Sequence, residues 1–214
     1  MKIKWLGHSC FLIQPDSGVR IITDPYNTVQ GVKYSPLNES ADIVTSSHDH
    51  YDHNAVSLIA GKPAVVKQSG NSNVKGIDFK GIASYHDDEG GKKRGTNVIF
   101  CFTVDGIKIC HLGDLGHTLT KSQVNDIGEV DILLIPVGGF YTIDAGLASQ
   151  ICDELQPKIV IPMHYKTAKL DFPVTGVDDF LKGKSNFKKL ASNELELKRE
   201  TLPSEPEIIV FATV

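Results

Sequence analysis

A chain of 214 residues, 41% hydrophobic and 22% charged, has the composition of a soluble globular protein and the length of one large α/β domain over residues 1–214. Its formal charge of −4, with histidine neutral, offers no electrostatic footprint for nucleic acid or an anionic membrane. No apolar run approaches the ~20 residues of a membrane span, and the opening MKIKWLGHSC lacks a signal-peptide pattern, so a cytoplasmic location is expected.

Strand-like runs rich in β-branched and aliphatic residues open the chain at Lys2–Leu6, Cys10–Gln14 and Val19–Thr23, with Pro15-Asp16-Ser17-Gly18 as the first hairpin turn. Ile43–Thr45 follows, then a short helix over Ala55–Ala60, capped by Asn54 and ended by Gly61 and Pro63. Ala64–Lys67, Ile77–Phe79, Ile82–Tyr85, Asn97–Val104 and Ile107–His111 are further strands, the last two joined by the hairpin signal Asp105-Gly106. Thr120 and Gln123 form a capping box for a helix that Gly128 ends. After Ile132–Pro136, Asp144 caps a helix whose Ala148, Ile151, Cys152 and Leu155 share one face. Lys158–Met163, a helix at Val177–Leu181, Glu194–Leu197 and Ile208–Ala212 complete the set. The pattern fits two facing sheets with helices outside, a three-layer sandwich being the competing arrangement. Cys10, Cys101, Cys110 and Cys152 show no CxxC spacing and read as small buried hydrophobes in a reducing compartment.

The run His48-Asp49-His50-Tyr51-Asp52-His53 carries the chemistry. Imidazoles and carboxylates crowded into six residues desolvate poorly unless a cation holds them. Three further candidates end apolar runs, where a strand emerges into a loop: His86, Asp114 and His164. His48, His50 and His86 supply three nitrogens for one ion. Asp52, His53 and His164 supply a mixed set for a second, and the Asp114 carboxylate is placed to bridge them.

His48–His53, Ser84–His86, Gly113-Asp114 and Pro162–Tyr165, in that order, resemble the metallo-β-lactamase superfamily. The likeness is to its compact branch of metal-dependent hydrolases related to ascorbate-6-phosphate lactonases. Gly7–Phe11, Thr23-Asp24-Pro25, Gly113–His117 and Pro136–Gly139 also resemble that branch. The resemblance implies an αβ/βα four-layer sandwich with the site along one edge. Asp114, not cysteine, stands at the bridging position, which argues against antibiotic hydrolysis. His50 stands where the di-iron oxygen-reducing branch has glutamate. There is no room for the nuclease branch's inserted domain and no basic arm like that of the tRNA-processing branch.

The expected function is therefore a binuclear hydrolase in which a metal-activated hydroxide, oriented by Asp52, attacks a small ester, lactone or phosphoester. Two divalent ions are expected; zinc suits the imidazole-rich set, with manganese or iron as alternatives. The expected partner is a small-molecule substrate, with neither nucleic acid nor membrane; oligomeric state is not encoded legibly. His117, three residues past Asp114, is a candidate proton donor to the leaving group. His8 and Asp24 are candidates to orient ligands, and Tyr141, Tyr165 and Lys166 to line the substrate pocket. His111 reads as a satisfied buried histidine, and Asp87–Arg94 as a mobile rim or lid. Two rival functions remain at this level: an iron-dependent oxidoreductase resembling sulfur dioxygenases, using His48, His50 and His86, and a non-catalytic metal-binding sensor.

Overall fold

Runs of β-branched and aliphatic residues dominate the chain, and the computed structural model, which describes Met1–Val214, gathers them into two sheets. In the first, β1 (Lys2–Gly7), β2 (Cys10–Gln14), β3 (Ile21–Thr23), β4 (Ile43–Thr45) and β5 (Ala64–Val66) lie side by side. The second begins as an antiparallel meander of β6 (Gly70–Val74), β7 (Ile77–Tyr85), β8 (Thr96–Val104) and β9 (Ile107–His111). It continues in parallel through β10 (Ile132–Pro136) and β11 (Ile159–Met163). Near the C-terminus β12 (Phe187–Lys189) and β14 (Glu207–Val210) extend the second sheet, and β13 (Glu194–Glu196) pairs with β1 in the first. The architecture is an α/β sandwich.

One cluster of 56 buried hydrophobic residues, from Met1 to Phe211, draws on both sheets. Every residue of β10 and β11 is buried, as expected for parallel strands covered on both faces. The covering helices are α1 (Lys121–Ile127), α2 (Ala145–Leu155) and α3 (Val177–Leu181). The Thr120–Gln123 capping box forms, and the Asp144 side chain accepts from Leu147 N at 2.9 Å. α2 buries Ala148, Ile151 and Leu155, with Cys152 half-buried beside them. No helix is long and apolar enough to cross a membrane.

Three local expectations change. The helix expected over Ala55–Ala60 is a single 3-10 turn at Val56–Leu58, because the Asn54 side chain donates to Asp49 Oδ1 at 2.9 Å instead of capping it. The two strands expected on either side of Gly81 are one continuous strand, β7. Gly81 is needed there because a Cβ would stand 2.3 Å from the Gln68 carbonyl oxygen. Gly70–Val74 and Phe187–Lys189 were not expected as strands, and both are edges of the eight-stranded sheet. Polar or charged side chains protect such edges from further pairing and erase the hydrophobic alternation.

Strand direction positions the site. β1, β3 and β4 run one way in the first sheet, and β7, β9 and β11 run one way in the second. His8, Asp24, His48–His53, His86, Asp114 and His164 all follow the carboxyl ends of these six strands.

Candidate metal centre

Ser46 and Ser47 carry the chain out of β4 into the histidine loop. Ser46 N donates to Val66 O at 3.1 Å, and Ser46 Oγ to His48 O at 3.1 Å. Beneath the loop lies Asp24, fully buried at φ +40°. Its Oδ1 accepts from Ser47 N at 2.8 Å; its Oδ2 accepts from Ser47 Oγ at 2.6 Å and faces His53 Nδ1 at 2.9 Å. Ser47 Oγ, having donated to Asp24, accepts from His48 Nδ1 at 2.9 Å. This network assigns the protons of His48 and His53 to Nδ1 and leaves each Nε2 lone pair facing inward.

Four imidazoles converge on one carboxylate oxygen. Asp114 Oδ2 lies 3.1 Å from His53 Nε2, 3.2 Å from His86 Nε2, 3.2 Å from His164 Nε2 and 3.9 Å from His48 Nε2. His50 enters through its other nitrogen, with Nδ1 3.0 Å from His48 Nε2. Potential ligand atoms of His48, His50 and His86 lie within 4.8 Å of one another, and so do those of Asp52, His53, His164 and His8. Both expected sets are thus assembled, with Asp114 between them. His8 is the addition: its Nε2 is 3.2 Å from Asp52 Oδ2, and its ring centroid is 4.3 Å from that of His164. Asp24 also lies within reach of His48 and His53, but it meets His53 at Nδ1 directly and His48 at Nδ1 only through Ser47 Oγ.

Asp114 is set by residues that carry no metal chemistry themselves. Its N–H donates to Asn97 Oδ1 at 2.9 Å, while Asn97 Nδ2 donates to Leu112 O at 2.9 Å and Ser84 Oγ at 2.7 Å. Gly113 makes this approach possible: at φ +57°, a Cβ there would stand 2.3 Å from Asn97 Oδ1 and 2.6 Å from Ser47 Cβ. His8, Asp24 and His164 each leave a strand in the left-handed region, so three of the chain's exits into the site carry backbone strain.

Burial dominates the local electrostatics. It drives His8 down to about 4, helped by His164, and His48 down to about 3, helped by His53. Burial would raise the carboxyls of Asp114 and Asp52, but surrounding imidazoles hold both below the usual carboxylate range: His164 and His53 around Asp114, His53 and His8 around Asp52. Asp24 is lowered in the same way, against burial, by His111, His53 and His48. His53 runs the other way: despite burial, Asp114 and Asp52 raise it well above the usual imidazole range. A field that draws a proton to His53 also favours a cation. His53 Nε2 and Asp114 Oδ1 are buried without a hydrogen bond, the mark of atoms shaped for another partner. Neutral imidazole nitrogens with carboxylate oxygens fit a borderline divalent cation such as zinc.

A cavity of about 500 Å³ opens over the cluster; its lining includes His50, Asp52, His86, Asp114 and His164, with Tyr51, Arg94, Tyr141 and Phe172 among its walls. Several expected pocket residues are elsewhere. His117 does not line this cavity, and both of its nitrogens are engaged by backbone. Nε2 accepts from Tyr85 N at 3.1 Å, which puts the proton on Nδ1, and Nδ1 donates to Thr118 O at 2.7 Å. The ring therefore ties the loop after β9 to the end of β7 and has no free proton for a leaving group. Tyr165 is buried and stacks on Trp5 with centroids 5.7 Å apart. Lys166 points to solvent and donates to Phe172 O at 3.0 Å, bracing a cavity wall without entering it. His111 is a satisfied core residue, with Nε2 donating to Ser9 O at 2.9 Å and Nδ1 accepting from Gly113 N at 3.1 Å. Ser47 and Asn97 carry no metal-binding signature in the sequence; the one mark of Asn97 is an amide at the start of an apolar strand.

The beta-lactamase superfamily domain matches residues 2–164 of the chain. A UPF0173 metal-dependent hydrolase of Thermoplasma volcanium is 32% identical over 193 residues, covering 78% of this chain and 84% of that protein. A second, from Archaeoglobus fulgidus, is 27% identical over 213 residues, covering 85% and 90%. A crystal structure from Thermotoga maritima, of a candidate Zn-dependent hydrolase of the metallo-beta-lactamase superfamily, superposes with a TM-score of 0.81 at 42% identity, covering 98% and 97%.

Proposed function

The chain belongs to the beta-lactamase superfamily, and on that premise we propose that it is a hydrolase that works with two divalent cations on a small ester, lactone or phosphoester. The observation that carries this reading is the convergence of His48, His53, His86 and His164 on Asp114 Oδ2, between two sets of ligand atoms and under an open cavity. His48, His50 and His86 would hold one cation, and Asp52, His53 and His164 the other, with Asp114 shared. Bound there, the cations supply Lewis acidity, bringing the pKa of water toward neutrality and polarising a carbonyl or phosphoryl oxygen. Zinc suits the donor set, and manganese or iron are the alternatives its carboxylates admit.

The chain's own residues do the positioning. Asp24, through Ser47 and directly, keeps the His48 and His53 lone pairs aimed inward. His8 holds Asp52 from behind. Because the Asp52 carboxyl is far below the usual range, it stays ionised at neutral pH and orients water by accepting its hydrogen bond, without taking up the proton. The cavity volume suits a small molecule. Four free cysteines are compatible with work in a reducing cytoplasm.

Elemental analysis after reconstitution with zinc or manganese should approach two ions per chain. A screen of lactones, phosphodiesters and thioesters should then reveal turnover. Saturation at one ion, with Asp52 and His53 dispensable, would overturn the binuclear reading; two bound ions and no turnover on any class would overturn the hydrolase.

A further inference from the structure

The segment after His86 is folded around a buried carboxylate. Asp87 Oδ1 accepts from Glu89 N at 2.9 Å and Gly91 N at 2.8 Å, and Oδ2 accepts from Lys93 N at 2.9 Å and Arg94 N at 2.7 Å. Gly95 closes the ring, its N–H donating to Gly91 O and its carbonyl accepting from His86 N, both at 3.0 Å. The expected mobile rim is therefore a pinned loop, and the backbone of its last two residues is fixed relative to His86. Ordering this loop costs backbone entropy, and what the order delivers is the position of Lys93 and Arg94 on the cavity wall.

These two cations differ. Lys93 Nζ is 2.7 Å from Glu89 and 3.5 Å from Asp88, so its charge is answered within the loop. Arg94 has no acidic partner. It is half-buried, donates one hydrogen bond to Phe140 O at 3.0 Å, and stands with its guanidinium carbon 5.6 Å from the Tyr141 ring centroid. It lines the cavity over the ligand cluster and two adjoining clefts. A guanidinium steadied on an aromatic face, with donors to spare, is built to bind a planar or tetrahedral oxyanion. Tyr51, Tyr141 and Phe172 supply apolar surface for the body of such a ligand.

We infer that Arg94 anchors an anionic group of the substrate, so that the substrate class is a small ester, lactone or phosphoester bearing a second, non-reacting carboxylate or phosphate. This rests on the hydrolase reading, and the test separates the two. Metal-loaded wild-type protein, Arg94→Gln and Arg94→Lys, each checked for metal content and melting temperature, are titrated calorimetrically with phenylphosphonate, phenylacetate and the neutral phenylacetamide. Wild-type protein should favour the anions. Arg94→Gln should weaken them by about 10–100-fold, the reach of charge-assisted hydrogen bonds, with phenylacetamide unchanged. Arg94→Lys should keep part of the preference, and Lys93→Gln nearly all of it. A larger Arg94-dependent loss for phenylphosphonate indicates a phosphate-bearing substrate, and for phenylacetate a carboxylate-bearing one. An unchanged anion affinity in Arg94→Gln, or an equal loss for all three probes, would overturn the inference and leave Arg94 as a brace for the Phe140 loop. Failure of the hydrolase reading would show separately, as absent turnover with Arg94-dependent binding intact.

Discussion

The loop His48–His53 and the strand-end residues His86, Asp114 and His164 reach the same cluster by different means. The loop is short-range: its turns close on themselves through His53 N and Asn54 N to His50 O, and Asp24 fixes two of its rings from one adjacent strand. These strand-end residues are 28 and 50 residues apart (114 − 86 and 164 − 114) and meet only because β7, β9 and β11 run in the same direction. Their setting comes from distant partners, Asn97 for Asp114 and His8 for the ring of His164. The loop thus presents a cluster of lone pairs, while the strand ends decide where the two groups of donor atoms meet.

The sharpest way to break this division is Asp114→Ala. It removes the one oxygen within reach of four imidazoles, so both ions should be lost together. Metal affinity should fall by more than ~10²-fold, beyond what loss of an outer partner causes, with the circular dichroism of a folded chain. Retention of two ions by this variant would sink the shared-carboxylate claim. Asp24→Ala tests the loop side. His48 and His53 lose their tautomer control, and affinity should drop by about 10–100-fold; an unchanged metal titration would show that the loop orients its own rings.

Protons probe both regions at once. Folded, His8 is held at about 4 and His48 at about 3, against 6.5 unfolded. The unfolded chain therefore binds more protons between those values, and stability falls as pH drops below 6.5. His53, raised, acts oppositely: its contribution is full below pH 6.5 and fades as pH rises through its folded value. Metal-free protein should lose on the order of 2 kcal/mol per lowered histidine between neutrality and about pH 4.5. Melting curves of His8→Gln and His48→Gln should each be flatter over that window; curves parallel to wild type would contradict these shifts.

Asn97→Ala leaves the Asp114 N–H and the Leu112 carbonyl buried without their partner, at a cost of about 1–3 kcal/mol in denaturant unfolding. A loss below about 0.5 kcal/mol would show that the Gly113 turn holds Asp114 unaided. The smallest effect belongs to His117→Ala. With both nitrogens on backbone, its removal should cost about 1 kcal/mol of stability and leave turnover within a few-fold. A loss of ~10²–10⁴ confined to substrates with poor leaving groups would restore it as an acid.

Much of this is legible in the sequence. The capping box at Thr120–Gln123, the Asp144 cap and the Asp105-Gly106 turn are local devices, and they sit where their residues stand in the chain. Edge strands β6 and β12 were not legible, since their exposed side chains answer to solvent and not to a core. The orientations of Lys166 and His117 were not legible for a related reason: proximity in sequence to a candidate ligand says nothing about which way a side chain turns.

By itself the sequence determined the donor chemistry on offer, because seven histidines and carboxylates placed at or just past strand ends have few other reasons to coexist, and it determined the family through their order. Only the tertiary structure decided which atoms meet. Asp114 became the hub, His8 joined Asp52, and Arg94 emerged as the unpaired cation at the cavity wall. The physical reason is that hydrogen-bond partners such as Asn97 and Ser47, and the direction of each side chain, depend on strands brought together from across the whole chain.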